Sequence, residues 1–212
     1  MTDGVFDKSC RACPRLATFL DDVSERYPGY YCKPVPPFGD TDSRFLIVGL
    51  APGMHGANRT GRPFTGDHAG ILLYQMLHKY GFSTHEESLA ADDDLRLTNC
   101  RITNAVKCLP PDNKPVGAEI NTCNTFLANE LRSLPESSVV LALGGIAHRA
   151  IIKAQAIRQA DFKFAHAAVH ELGHLRLLDS YHCSRYNTNT RRLSTEMFDA
   201  IFAQAQELLD ES

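Results

Sequence analysis

Residues 44–80 read RFLIVGLAPGMHGANRTGRPFTGDHAGILLYQMLHKY, and this stretch decides the fold. It begins with an apolar run, Arg44 to Leu50, which predicts a buried strand. A loop with many glycines follows, and the segment from Asp67 to Tyr80 then predicts a helix that Gly81 terminates. A strand, a loop and a helix in this order are typical of α/β proteins.

The same alternation of strands and helices continues along the rest of the chain. Three further apolar runs predict strands at 97–106, 138–143 and 175–178. Helix patterns lie around them: one starts at Pro14 and two run over 115–134 and 146–156. A last helix is expected to follow Ser194, since Ser is a favoured N-cap. Strands separated by helices predict a mostly parallel four-stranded sheet with helices on both faces. Without internal repeats or low-complexity tracts, we expect a single domain over residues 1–212.

The net charge of −3 hides an uneven distribution of charged residues. Eight acids fall in two short runs, Glu86 to Asp94 and Glu207 to Glu211, and we interpret both runs as solvated surface. The remaining 17 acids are outnumbered by 22 Lys and Arg, which allows a basic face. No apolar run approaches the length of a membrane span, and the polar start of the chain resembles no secretory signal. We therefore expect a cytoplasmic protein.

The seven cysteines are an odd number and do not suggest a disulfide framework. Cys10 and Cys13 form a close pair at a helix start, whereas Cys108 and Cys123 are dispersed downstream. One close pair with two dispersed cysteines favours the four thiolates of an iron–sulfur cluster over a zinc ribbon. A zinc site, a redox-active pair and ordinary buried thiols remain alternatives at this point. The other cysteines are interpreted as ordinary thiols: Cys32, Cys100 and Cys183.

Three polar loops leave the carboxyl ends of predicted strands, at 49–66, 104–115 and 180–192. Ligands of open parallel sheets bind at this edge. The first loop contains neither the G-K-[ST] of a Walker motif nor the spacing of a dinucleotide fingerprint. Its glycines allow close backbone approach to a ligand, so we interpret it as a pocket wall that ends in a carboxylate, Asp67.

The two long motifs resemble those of one enzyme family. The segment Gly49 to Gly70 resembles the first motif of the family 5 (type b) uracil-DNA glycosylases, and Ser180 to Ser194 resembles their second motif. The segment TNAVKC, Thr103 to Cys108, and the four cysteines also follow the family's order. The resemblance implies a three-layer α/β/α sandwich. It also implies a 4Fe–4S cluster, held by Cys10, Cys13, Cys108 and Cys123.

The resemblance further implies a monofunctional DNA repair enzyme. It would extrude uracil or a related damaged base from double-stranded DNA, hydrolyse its N-glycosidic bond and leave an abasic site. Alternatives are a glycosylase mainly for hypoxanthine or etheno-cytosine, and a non-catalytic iron–sulfur protein that binds nucleic acid. An electron carrier is a further alternative, but it has no use for the Gly-rich loop. We expect damaged duplex DNA as partner, no membrane association, no obligate protein partner and a monomeric state.

Three polar residues are the expected catalytic groups. In many relatives the third residue of the first motif is Asp, Asn or Glu and serves the attacking water, but here it is Ala51. The resemblance assigns to Asp67 the role of supporting the sugar cation and orienting the attacking water. Without the resemblance, Asp67 would be interpreted as a helix cap. It assigns His182 to the leaving base as hydrogen-bond donor, and the amide of Asn104 suits a base edge. The alternative interpretation of His182 is an ordinary surface histidine, and that of Asn104 is an amide that ties two loops together.

The remaining site residues are expected around the base and along the DNA. Those expected around the base are Gly49, Ala51, Gly53 and Phe64, the last as a stacking partner or as simple core. Strict uracil enzymes carry G-Q-D-P-Y in the first motif, and their Tyr corresponds to Gly53, which predicts an open pocket and a broad substrate range. The expected DNA contacts are Arg59, Arg62, Arg185, Asn187, Asn189 and Arg192.

Overall fold

The computed structural model describes residues 5–211 and contains one six-stranded sheet in the order β1-β3-β2-β4-β6-β5. The strands are β1 Phe38–Gly39, β2 Phe45–Gly49, β3 Cys100–Asn104, β4 Ser138–Leu143, β5 Val169–Leu172 and β6 Leu175–Ser180. The helices are α1 Pro14–Arg26, α2 Ala57–Thr60, α3 His68–Lys79, α4 Gly117–Arg132, α5 Gly145–Ala154, α6 Arg185–Asn189 and α7 Thr195–Asp210. Two 3₁₀ turns cover Pro111–Asn113 and Gln159–Asp161.

The four inner strands, β3, β2, β4 and β6, are parallel and coincide with the four predicted strands. The predicted strand number is nevertheless wrong, because β1 and β5 add an antiparallel strand at each edge. Strand β1 has only two residues and follows two prolines, so it carries no alternation that a sequence pattern detects. Strand β5 is short, mixes polar with apolar residues, and turns into β6 through Gly173 at a φ of 68°. The sheet is therefore mixed.

Helices cover both faces of the sheet, as expected. Alternate residues of β2 point to opposite sides: Phe45 and Ile47 join a core with α3 and α7, whereas Leu46 and Val48 join a core with α4 and α5. Both cores consist of buried apolar side chains, with aromatic rings in the core on the α3 and α7 side, and this burial is the main stabilising contribution to the fold. The molecule thus has three layers, with the sheet between two layers of helices.

The carboxyl ends of the inner strands converge at one edge. The β2–β3 ladder continues beyond the strands, since Ala105 N donates to Gly49 O at 2.9 Å and Val106 N donates to Leu50 O at 2.9 Å. The loop after β6 contains the short helix α6, which the sequence did not predict. Its N-cap Ser184 accepts a hydrogen bond from Asn187 N. Across residues 5–211, no helix is long and apolar enough to span a membrane.

Candidate active site

A pocket of about 490 Å³ lies at this edge of the sheet. It is formed by the loop after β2, the end of β3, the start of α5 and the loop after β6. The site residues expected from the sequence that line it are Ala51, Gly53, Phe64, Asp67, Asn104, His182 and Arg185. The three expected catalytic side chains therefore converge on one cavity, although they lie far apart in the chain.

Asp67 is the N-cap of α3 and faces the pocket at the same time. Its Oδ1 accepts a hydrogen bond from Gly70 N at 2.9 Å, which satisfies one open donor of the helix. Its Oδ2 lies toward the first loop, 3.6 Å from the position that a Cβ on Gly53 would take. Burial raises the pKa of the Asp67 carboxyl, and the backbone hydrogen bonds partly offset this effect. Helix capping and a role in the pocket are thus compatible in one side chain.

Asn104 and His182 each bring a buried polar atom without a partner to the pocket. Asn104 Oδ1 and His182 Nδ1 make no hydrogen bond to any described residue. Buried polar atoms are nearly always paired, so these two atoms are available to a ligand that enters the pocket. Burial lowers the pKa of His182 to about 4, which keeps the imidazole neutral near pH 7.

Phe64 lines the pocket, and Gly49, at the end of β2, lies against Phe64 and Asn104. The Phe64 ring stacks against the ring of His182 with centroids 6.0 Å apart. A Cβ on Gly49 would overlap with Asn104 Oδ1 and lie 2.7 Å from Phe64 Cζ, so only glycine permits this close approach. Phe64 itself has a φ of 55°, a strained conformation for a bulky residue. A strained backbone of this kind persists only where the surrounding structure holds it, so the position of the Phe64 ring in the pocket is fixed.

The expected DNA contacts are placed unequally around the pocket. Arg185 lines the pocket and Arg59 lines an adjoining groove, and both side chains are exposed. Asn189 and Arg192 are exposed on and after α6, and the Arg192 guanidinium lies 4.6 Å above the Tyr181 ring. Asn187 faces inward instead, because its Nδ2 donates to the carbonyl of His182 at 2.8 Å. Asn187 therefore fixes the histidine loop.

Arg62 does not have the place that a phosphate contact requires. Arg62 is only 4% exposed, and its guanidinium Nη1 forms an ion pair with Asp93 Oδ1 at 2.6 Å. It also donates to Ser88 Oγ and to the carbonyl of Ala91, and it lies 4.4 Å above the Phe38 ring. The expectation for Arg62 is corrected: its donors are used inside the fold, where they fix the loop between α3 and β3.

The four cysteines of the expected cluster line one small cavity of about 40 Å³. All four are free thiols, and apolar walls from α1, α4 and the segment after β3 surround them. Burial raises the pKa of Cys108 to about 12 and that of Cys123 to about 11. Ala51 packs against this cysteine cluster and also lines the 490 Å³ pocket, so the two sites share a wall.

Sequence reasoning missed a buried network centred on β6, the strand that precedes the His182 loop. The fully buried Asp179 pairs with His148 Nδ1 at 2.8 Å and with His170 Nε2 at 3.2 Å. His148 Nε2 also lies 3.0 Å from the carbonyl of Phe162. The network ties α5, β5 and β6 together three residues before His182. No local sequence signal reports it, because the three residues meet only through the sheet order.

Comparison with known proteins agrees with this geometry. The family described as "Uracil DNA glycosylase superfamily" matches residues 36–206. The type-5 uracil-DNA glycosylase of Thermus thermophilus is 47% identical over 206 residues, which cover 94% of each chain. This chain belongs to the type-5 uracil-DNA glycosylases. The type-5 uracil-DNA glycosylase of Pyrobaculum aerophilum is 40% identical over 201 residues, covering 93% of this chain and 88% of that protein.

The solved structures add a likeness of fold. The crystal structure of Pedobacter heparinus SMUG2 matches with a TM-score of 0.51 at 16% identity, covering 92% of this chain and 85% of that one. The family membership confirms the resemblance that the motifs at Gly49–Gly70 and Ser180–Ser194 indicated.

Proposed function

We propose that this chain hydrolyses the N-glycosidic bond of uracil and related damaged bases in double-stranded DNA, leaving an abasic site. The observation that carries this proposal is the convergence of Asp67, Asn104 and His182 on one pocket, with two buried polar atoms left unpaired. Membership of the type-5 uracil-DNA glycosylases supports uracil as the base. The pocket of about 490 Å³ can hold one extruded base.

Asn104 and His182 act on the base. The Asn104 amide offers both a donor and an acceptor to the base edge, and the backbone at Gly49 leaves room for it. As the bond to the sugar breaks, negative charge develops on the base. The neutral His182 ring donates an N–H to a base oxygen and stabilises this charge inside a partly buried site, where such a bond is strong. Phe64 stacks on the base.

Asp67 acts on the sugar. Positive charge develops on the sugar as the base leaves, and a fixed carboxylate stabilises it and orients the attacking water. Ala51 has no polar atom for this task, although it lines the same pocket. The N-terminus of α3 favours an anion at the cap position and so opposes the effect of burial on Asp67.

Incubation with duplex oligonucleotides that each carry one damaged base tests the function. Strand scission at the abasic site after alkali treatment measures excision of uracil, hypoxanthine and etheno-cytosine. Excision of uracil is the expected result. A protein that binds these duplexes without cleaving any base would instead support the non-catalytic alternative, and a preference for hypoxanthine would support the other enzyme.

We also propose that Cys10, Cys13, Cys108 and Cys123 hold a 4Fe–4S cluster. Four thiols around one apolar cavity lose hydration and repel each other once ionised, and a cationic metal core removes both costs. Zinc would bring its sulfurs to about 3.8 Å from one another, given its bond lengths. Within residues 5–211, these sulfurs do not form a group of three within 4.8 Å, which fits a larger cluster better. The bound cluster would supply a structural link between α1, α4 and the segment after β3.

Replacing Cys13 by Ala tests the cluster. The purified natural protein should be brown, with iron and sulfide in equal amounts. Cys13→Ala should lose iron and thermal stability first and activity only as a consequence, because the cluster links elements rather than touching the base. Cys32→Ala is a matched control outside the four, and it should keep its iron. Colourless protein with stoichiometric zinc after anaerobic purification would contradict the proposal.

The space at Gly53 gives a prediction about substrate range. Within 4 Å, a Cβ there meets only Asp67 Oδ2, at 3.6 Å, so the backbone at Gly53 leaves space next to the pocket. The natural enzyme should therefore excise 5-hydroxymethyluracil as well as uracil, since a pocket cannot reject a group it does not touch. Gly53→Tyr should lose most of the activity on the bulky base and less on uracil, whereas Gly53→Ala should keep both. Equal effects of Gly53→Tyr on the two bases would show that another residue closes the pocket.

Arg59 and Arg185 should contact phosphates on either side of the extruded nucleotide. Replacing both by Gln should weaken binding to damaged and undamaged duplex alike, because phosphate contacts carry no sequence information. The slope of binding against salt should become shallower by about one unit for each lost contact. Arg158→Gln is the control, because Arg158 follows the C-terminal end of α5 at the opposite edge of the sheet. An unchanged slope in the double variant would place these arginines away from DNA.

We propose in addition that the chain works as a single domain and as a monomer. All six strands of residues 5–211 belong to one sheet, which supports the single domain. Sedimentation of the free protein and of its complex with one duplex tests the monomeric state.

A further inference from the structure

A groove of about 700 Å³ opens directly beside the pocket. The two depressions share the wall residues Gly53, Asp67, His68, Asn113 and Arg185. A duplex whose extruded base fills the pocket must therefore lie over or next to this groove. Its further lining includes cationic, acidic and aliphatic side chains, namely Arg59, Glu87, Ile71 and Leu89.

The two aliphatic side chains of the groove are unusually exposed. Ile71 is 56% exposed and Leu89 is 69% exposed. Ile71 stands four residues after Asp67, so the spacing of a helix brings it to the same side of α3. Single exposed aliphatic residues need no explanation, but two that line one charged groove beside the pocket are candidates for contact with a ligand.

The loop that carries Leu89 is firmly held. The preceding residue, Ser88, shares a hydrogen bond of 2.7 Å with Thr65 Oγ1, and its carbonyl accepts from Gly66 N at 3.3 Å. The buried Arg62 fixes the same loop through Ser88 and Asp93. A buried guanidinium is costly unless it is fully paired, and here its bonds hold Leu89 next to the segment that ends in Asp67.

We propose that Ile71 and Leu89 contact the bases that flank the extruded nucleotide in duplex DNA. This inference rests on the proposed function. Extrusion leaves a gap in the base stack, and apolar side chains that enter such a gap offset part of the unstacking cost. The charges of the groove agree with this orientation. Arg59 and Arg185 attract phosphates, whereas Glu87 disfavours a phosphate near Leu89 and leaves that end for uncharged base faces.

A contact of this kind helps only where the base must first leave a stack. Its loss should therefore matter most for uracil paired with adenine, less for a uracil–guanine mismatch, and not at all for uracil in a single strand. A purely structural role of Leu89 would lower all three rates together. The ratio of rates on paired and single-stranded DNA is therefore the decisive quantity.

The experiment measures single-turnover excision by Leu89→Ala, Ile71→Ala and the double variant on these three substrates. We expect the double variant to lose about 10-fold on the adenine pair, equivalent to the burial of a few methyl groups, and to keep the single-strand rate. Val5→Ala, at another exposed aliphatic residue, is the matched control and should change nothing. Melting temperatures verify that each variant folds.

Two outcomes would overturn the inference: equal losses on paired and single-stranded DNA, or no loss on either. A natural protein that excises uracil from no substrate would contradict the proposed function instead, so the two failures are distinguishable. A fluorescent base analogue placed next to the uracil gives an independent reading. Its fluorescence on binding should change less with the double variant than with the natural protein.

Discussion

Asp67→Asn should lower the single-turnover rate of uracil excision by roughly 10²-fold or more, which is the usual cost of losing one preorganised electrostatic group. Asparagine keeps the size of the side chain, and its amide oxygen can still accept the hydrogen bond from Gly70 N at the start of α3. Only the charge next to the sugar is removed. DNA binding should persist or tighten slightly, because a negative charge leaves the site.

The stability of this variant separates catalysis from helix capping. Burial raises the pKa of Asp67 in the folded protein, so the charged carboxylate is disfavoured there and its removal should not lower the melting temperature. Asp67→Ala removes the cap as well and should cost about 1 kcal/mol of stability. Equal losses of activity in both variants, matched by equal losses of stability, would reduce Asp67 to a helix cap.

The same groups determine how the rate depends on pH. In its proposed role Asp67 acts as a carboxylate, so the rate of the natural enzyme should fall as the pH drops through the raised pKa of this carboxyl. Burial lowers the pKa of His182 to about 4, and the ring is neutral above that value. Its titration therefore causes no change of rate near neutral pH. The acid limb should be absent in Asp67→Asn. A limb that persists in this variant would assign it to another group.

The sequence predicts the inner sheet well and its edges poorly, for a physical reason. Strands β2 and β4 are buried on both faces and therefore consist of continuous apolar runs. An edge strand such as β1 needs only a few backbone hydrogen bonds to its neighbour, and these leave no trace in side-chain pattern. The sequence does not predict helix α6, because its five residues include none that is buried and so show no apolar periodicity.

The sequence likewise indicates some residues of the site and leaves others undecided. Asp67 and His182 line the same pocket, because their loops begin at strand ends that the fold brings together. The arginines could not be sorted from the sequence. Arg59 lies in α2 and Arg62 follows three residues later, yet Arg59 is exposed and Arg62 is buried against Asp93, which lies 31 residues further along the chain. Only the tertiary contact decides between a DNA contact and a structural ion pair.

Gly49→Ala should also abolish most of the activity, through geometry rather than charge. The added Cβ would overlap with Asn104 Oδ1 and lie 2.7 Å from Phe64 Cζ. The Asn104 side chain can rotate away, but that rotation withdraws the amide from the base edge. The Phe64 ring cannot move easily, because its backbone is already strained at a φ of 55° and the preceding Pro63 carbonyl accepts a bond from the buried Tyr74 hydroxyl.

A displacement of about 1 Å at either side chain is enough to lower the rate about 10²-fold, while overpacking of this kind costs only about 1–3 kcal/mol of stability. We therefore expect Gly49→Ala to fold, to bind undamaged duplex normally and to excise uracil at least 10²-fold more slowly. Gly29→Ala is the matched control, because a Cβ there meets no atom within 4 Å. Adding Phe64→Leu to Gly49→Ala should restore part of the rate if the clash with the ring dominates. A Gly49→Ala enzyme with the natural rate would mean that the base does not depend on this close approach, and the assignment of Asn104 to the base edge would fall with it.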